Sequence, residues 1–153
     1  MLMTLSTLGA TTLVVTPAAN ASTAPYSSEL EWAIHKYTNV ERVANGRRAV
    51  AWSSCVDRYA EGWAAHLRNT GRFYHRSWRT ITSGCHKTYA SENIAHYYSP
   101  TLSADALAKK IVGMWMNSPS HRVNLLSSKA RTIGVGAART SGGRWYMVQN
   151  FAS

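Results

Sequence analysis

Thr132-Ile133-Gly134-Val135-Gly136-Ala137-Ala138-Arg139, then Thr140-Ser141-Gly142-Gly143, then Arg144-Trp145-Tyr146-Met147-Val148-Gln149-Asn150-Phe151 is the stretch that decides the fold class. Two β-rich runs joined by Ser141-Gly142-Gly143 read as a hairpin. Gly134 and Gly136 inside the first run mark a place where another backbone comes close, not a phosphate loop.

Upstream of the hairpin the pattern is helical. Leu30, Ile34, Tyr37 and Ala44 follow the helical period after Ser27 or Ser28, and Asn45-Gly46 stops the run. Ala49 to Trp52 is a short extended piece. Ser53-Ser54 opens a second helix to about Asn69, with Val56, Tyr59, Ala60, Trp63, Ala64 and Leu67 on one face. Residues 70–90 lack periodicity and read as an ordered loop. Ile94 to Tyr98 reads as a strand, and Ser103 caps a third helix through Met116. Asn117-Ser118-Pro119 breaks it, and a short helix follows from about Ser120 to Leu126. Helices first and a hairpin last give an α+β fold with helices packed on a small antiparallel sheet.

The chain has 153 residues and a formal charge of +10, with 45% hydrophobic residues, six Trp and eight Tyr. That excludes a disordered polycation, which has no apolar surface to bury. No apolar run reaches the ~18 residues of a membrane span. Residues 1–21, apolar up to Val15 and ending in Ala19-Asn20-Ala21, read as a signal peptide cleaved after Ala21, although no basic residue precedes the apolar run. The domain is then 22–153, and the protein is expected outside the cell. In an exported chain the even pair Cys55 and Cys85 reads as one disulfide; two buried free thiols are the alternative.

Acidic residues are scarce: Glu92 is the sole carboxylate between Glu61 and Asp105. Of the six histidines, His75 lies in Phe73-Tyr74-His75-Arg76-Ser77 and His121 in the run Trp115-Met116-Asn117-Ser118-Pro119-Ser120-His121-Arg122-Val123-Asn124-Leu125-Leu126. This run resembles the signature of bacterial SCP domains, members of the CAP superfamily of cysteine-rich secretory, antigen 5 and pathogenesis-related proteins. Ser91-Glu92-Asn93-Ile94-Ala95 is similar to a second motif of that family. Asn39, Arg42, Gly46 and Trp52 resemble its first helix and turn, the His75 segment its first histidine motif, and the hairpin its ending. Together the motifs cover about residues 28–153 in the family's order.

The resemblance implies an α-β-α sandwich with helices on both sides of the sheet, and a cleft lined by two histidines and two acids. His75, Glu92 and His121 match three of these positions; the second acid has no counterpart after Trp115. Asn93 and Ser118 are expected beside the cleft. Two imidazoles and a carboxylate can ligate Zn²⁺ or another divalent metal. Alternatively Glu92 orients a histidine as a general base, making these three the catalytic candidates of a hydrolase acting on peptide or cell-wall substrates. The third use is to brace the loop against the third helix. A lipid-binding module is a further alternative that the resemblance leaves open.

The charge has its own readings. Arg68, Arg72, Arg76, Arg79 and Lys87 fall in a stretch whose one carboxylate lies downstream of them, and seven bases but no acid follow Asp105. Arginine near aromatics suits nucleic acid, but no nucleic-acid module is present and export argues against it. An anionic cell-envelope component or lipid headgroup is the preferred partner, beside a merely solvated cationic face.

Overall fold

Helix α1, Ser28–Ala44, turns Leu30, Glu31, Ile34, Thr38 and Arg42 inward at spacings of one to four residues. A computed structural model describes it together with the rest of residues 28–153; the signal peptide expected at 1–21 lies outside these residues. Gly46, at φ 69°, takes the left-handed turn that ends α1 and lets the Arg47 N–H reach the Arg42 carbonyl at 2.8 Å. The short strand β1 (Ala51–Trp52) follows. Helix α2 (Ser54–Thr70) starts where the Ser53 hydroxyl accepts from Val56 N–H and ends at left-handed Gly71. Next come α3 (Trp78–Gly84), β2 (Ala90–Tyr98), α4 (Ala104–Asn117), α5 (Pro119–Leu125), β3 (Thr132–Arg139) and β4 (Arg144–Ala152).

The strands lie in the order β1-β3-β4-β2. β3, β4 and β2 are antiparallel, as the hairpin requires, and β1 adds a parallel edge of two residues to β3. The sheet is therefore mixed. That edge could not be read locally, because it joins residues about 80 apart. α1 and α4 bury Leu30, Ile34, Ile111 and Trp115 on one face of the sheet. α2 buries Ala60, Ala64 and Leu67 against Val148 and Tyr146 on the other. The result is the expected α-β-α sandwich.

The glycine prediction holds. A Cβ on Gly134 would stand 2.2 Å from the Asp57 nitrogen, and one on Gly136 would stand 2.2 Å from the Ala60 carbonyl oxygen. α2 thus rests directly on the backbone of β3. Beyond the end of β1, the open edge of β3 is covered by carboxylates. Asp57 Oδ1 accepts from Val135 N–H at 3.2 Å, and buried Glu31 Oε1 accepts from Ala137 N–H at 2.9 Å. This satisfies donors that a longer β1 would have satisfied. Buried Arg42 donates to the carbonyls of Arg48, Leu125 and Ser127, joining α1 to the end of α5.

The segment 70–90, expected as loop, contains α3. Seven residues are too few to show a period, Ile81 is its one buried apolar residue, and Ser77 makes no side-chain cap. Its end is held by the Cys55–Cys85 disulfide, with Cα atoms 5.9 Å apart. Closing this loop of sequence separation 30 constrains the unfolded chain by about 3 to 4 kcal/mol. Replacing both cysteines with serine is expected to lower the unfolding free energy by roughly that amount in urea; a loss under ~1 kcal/mol would show that the loop is held by its packing instead.

Candidate functional site

His75 lies on the segment between α2 and α3, which is fastened to α2 from both sides. Trp63 Nε1 donates to the Tyr74 carbonyl at 3.3 Å, His66 Nε2 meets the Tyr74 hydroxyl at 2.7 Å, and Arg76 donates to the Tyr59 carbonyl at 2.9 Å. The Arg76 guanidinium lies over the Trp63 and Tyr59 rings. These contacts hold a polar segment without secondary structure against α2.

Glu92 is on β2, directly opposite Asn150 of β4. Its Oε1 accepts from His75 Nδ1 at 2.9 Å and from the Arg76 backbone N–H at 3.2 Å. The carboxylate is 6% exposed while the His75 side chain is 56% exposed, so Glu92 supports the ring from behind. Burial pushes the Glu92 carboxyl above its ordinary range, and His75 and Arg76 pull it back. Glu92 Oε2 and both amide atoms of the Asn150 side chain are buried without hydrogen-bond partners among the described residues.

His121 is on α5. Its Nδ1 pairs with Ser118 Oγ at 2.9 Å, and Ser118 Oγ is 3.2 Å from Ser120 Oγ. Burial, and after it the charge of His75, holds the His121 imidazole below its ordinary pKa. Each ring has Nδ1 engaged by an oxygen, and among the described residues no hydrogen bond engages either Nε2.

Asn93, expected beside the cleft, is fully buried. It faces the other side of the sheet from Glu92, as strand alternation demands. Its Nδ2 donates to the His121 carbonyl at 3.1 Å and to Gln149 Oε1 at 3.0 Å, and Asn124 donates to Asn93 Oδ1 at 3.1 Å and to the Glu92 carbonyl at 3.2 Å. Gln149 continues to Thr38 Oγ1 at 2.6 Å. Asn93 is therefore a buried brace that seats α5 on β2. Asn124 and Gln149 were missed from sequence. Asn124 stands three residues after His121, and that spacing on one helix was the available signal.

Among the described residues, no group of three or more His, Cys, Asp or Glu is placed to hold a metal ion. As placed, the site offers two imidazole nitrogens with a carboxylate in support, not a three-ligand set.

The cysteine-rich secretory protein family, CAP, has a model that matches residues 35–151. An outer surface protein of Borrelia burgdorferi superimposes with a TM-score of 0.71 at 17% identity, covering 82% of this chain and 93% of that one. An extracellular protein of Bacillus anthracis containing an SCP domain matches with a TM-score of 0.64 at 25% identity, over 80% of this chain; the match spans 40% of the Bacillus protein. NaASP2, crystallised with Zn²⁺, matches with a TM-score of 0.58 at 13% identity, over 84% of this chain and 81% of its own. At such identities the first and third of these show the fold alone. No curated protein sequence matches the chain.

Proposed function

The chain belongs to the cysteine-rich secretory protein family, CAP, and from that premise we propose that it is exported and acts outside the cell, with His75, Glu92 and His121 forming a cleft for a divalent metal such as Zn²⁺ and an extracellular or cell-envelope ligand. The observation that carries this reading is that Nδ1 of each ring is engaged by an oxygen. Metal-binding histidines fix one ring nitrogen on an oxygen acceptor and present the other. His75 does so through Glu92, and His121 is paired in the same way with Ser118. Burial, and then the His75 charge, shift His121 toward the neutral form that a metal needs. His75 and His121 would hold the ion by Nε2, water would complete its shell, and the ion would supply a Lewis acid.

Support for the location comes from the extracellular Bacillus protein and the Borrelia outer surface protein. Among the described residues no helix is long and apolar enough to cross a membrane. The excess of 17 basic over 7 acidic residues favours an anionic envelope component.

A second reading rests on the His75–Glu92 pair alone. A buried carboxylate on Nδ1 of an exposed imidazole is the arrangement that makes Nε2 a general base toward water. Hydrolysis of a peptide or wall polymer would then need no metal.

Titration calorimetry with Zn²⁺ separates the two. The native protein is expected to bind one ion. His75→Ala and His121→Ala should each weaken binding at least tenfold, and Glu92→Gln by about 10- to 100-fold through loss of the supporting carboxylate. Binding that is absent, or unchanged in both histidine variants, rejects the metal site. Turnover of a wall or peptide substrate that persists in chelator and vanishes in Glu92→Gln would establish the second reading.

A further inference from the structure

α5 has another side. Away from His121, a depression of about 640 Å³ opens between the turn after α1, the residue before β2 and the outer surface of α5. Neither His75, Glu92 nor His121 lines it. Arg47, Arg122 and Lys129 do, contributed by three separate segments, and no carboxylate does.

These cations are available. Among the described residues the ion pairs are Lys36–Asp105 and His75–Glu92, so none of the three is neutralised by an acid. The Arg47 side chain makes no hydrogen bond among the described residues. Arg122 has a long one, 3.4 Å to Asn45 Oδ1, and Lys129 lies 5.9 Å over the Tyr89 ring. Arg42 is held below its ordinary pKa first by burial and then by the charges of Arg47 and Arg131. Positive charge thus accumulates here without compensation, a cost that a bound anion would relieve.

The floor is rigid. Asn124, which also lines the depression, is bonded to β2, and the Tyr89 hydroxyl donates to Ser91 Oγ at 2.8 Å. One wall is apolar: Leu126 and Val123, the latter 66% exposed. A bare cationic surface has no use for such a wall, whereas a ligand with an apolar body does.

We propose that this depression is a binding site for a phosphoryl group carried on a short apolar or glycerol-like body, held by Arg47, Arg122 and Lys129. Two guanidinium forks and one ammonium arriving from different directions suit the several oxygens of a tetrahedral dianion better than a planar carboxylate. The site is separate from the histidine cleft and stands whether or not that cleft takes a metal.

The test uses the folded chain at physiological ionic strength with two probes of the same chemistry: soluble glycerol 3-phosphate by calorimetry, and vesicles of 30% phosphatidic acid in phosphatidylcholine by sedimentation. Arg47→Gln/Arg122→Gln is expected to weaken binding at least tenfold. The charge-matched Arg72→Gln/Arg79→Gln, on the segment from α2 to α3, should stay within twofold. Circular dichroism melts confirm that both variants fold. Binding of glycerol 3-phosphate assigns the site to a free phosphate ester, and binding of vesicles alone assigns it to a lipid headgroup. Failure to bind either probe, or equal losses in the two double variants, overturns the proposal, the latter by showing that net charge alone attracts the ligand.

Discussion

Gly136→Ala is expected to abolish folding at ordinary temperature, or to lower the melting temperature by more than 10 °C in any soluble fraction. One methyl group is added, yet it would stand 2.2 Å from the carbonyl oxygen of Ala60 and 2.3 Å from its carbon. Those are backbone atoms inside α2, so no rotamer change relieves the overlap. The helix must lift off β3 and so lose the burial of Ala60, Ala64 and Leu67. Overpacking a tight core costs about 1 to 3 kcal/mol where side chains can adjust, and more where they cannot. A domain of this size has roughly 5 to 15 kcal/mol in all. Gly142→Ala, in the hairpin turn, meets only the Thr140 hydroxyl at 3.9 Å and serves as the control. Thermal melts of the two variants decide the matter: if Gly136→Ala melts within 3 °C of Gly142→Ala, the close approach of α2 to β3 is wrong.

The second large effect is a dependence on pH that runs opposite to common acid denaturation. Glu31 is 4% exposed, and burial lifts its carboxyl from 4.5 to about 8; the Ala137 N–H opposes the shift, while Glu61 and Asp57 add to it. Burial likewise lifts Asp57 to about 6, with Val135 N–H opposing and Glu61 adding. An acid whose folded pKa is raised contributes its stability fully below the unfolded pKa and loses it as pH rises through the folded one. The fold is therefore expected to be most stable near pH 4.5 and to lose up to ~4 kcal/mol on Glu31's account by pH 8. Asp57, only half-buried, adds less. Glu31→Gln keeps an oxygen for the Ala137 N–H and cannot ionise. Urea unfolding at pH 5 and pH 8 should show most of the loss removed in this variant; an identical loss in both proteins would show that Glu31 is not the responsible group.

What could be read from the sequence was whatever is local in the chain. Ser53 and Ser103 cap α2 and α4 as their positions predict, and the hairpin and the two glycines behave as their pattern implies. What could not be read depends on pairing at a distance. β2 begins at Ala90, four residues before the apolar run, because polar Ser91, Glu92 and Asn93 pair with the end of β4. Glu31 looks like an ordinary acidic residue of a first helical turn, and its burial against Ala137 follows only from the shortness of β1. In the candidate site, the motifs singled out His75, Glu92 and His121 by type. That Glu92 stands behind His75 and that Asn93 points to the other face follow from strand alternation, once Glu92 and Asn93 are known to be in a strand and not in a loop.

The strand order carries a consequence for how the chain acquires this structure in time. β4, which neighbours both β3 and β2, is the most C-terminal element described. A ribosome releases it after every other described element, so β2 waits through more than 40 residues of chain growth before its partner strand emerges. Contacts of such sequence separation close slowly, and before β4 the described strands offer just the two-residue pairing of β1 with β3, which does not reach β2. The described domain therefore commits late: a nascent chain lacking Arg144 to Ala152 has helices to collapse but just the two-residue β1–β3 pairing to organise them. Until then the chain stays open, in the form in which a chaperone or a protease can still engage it.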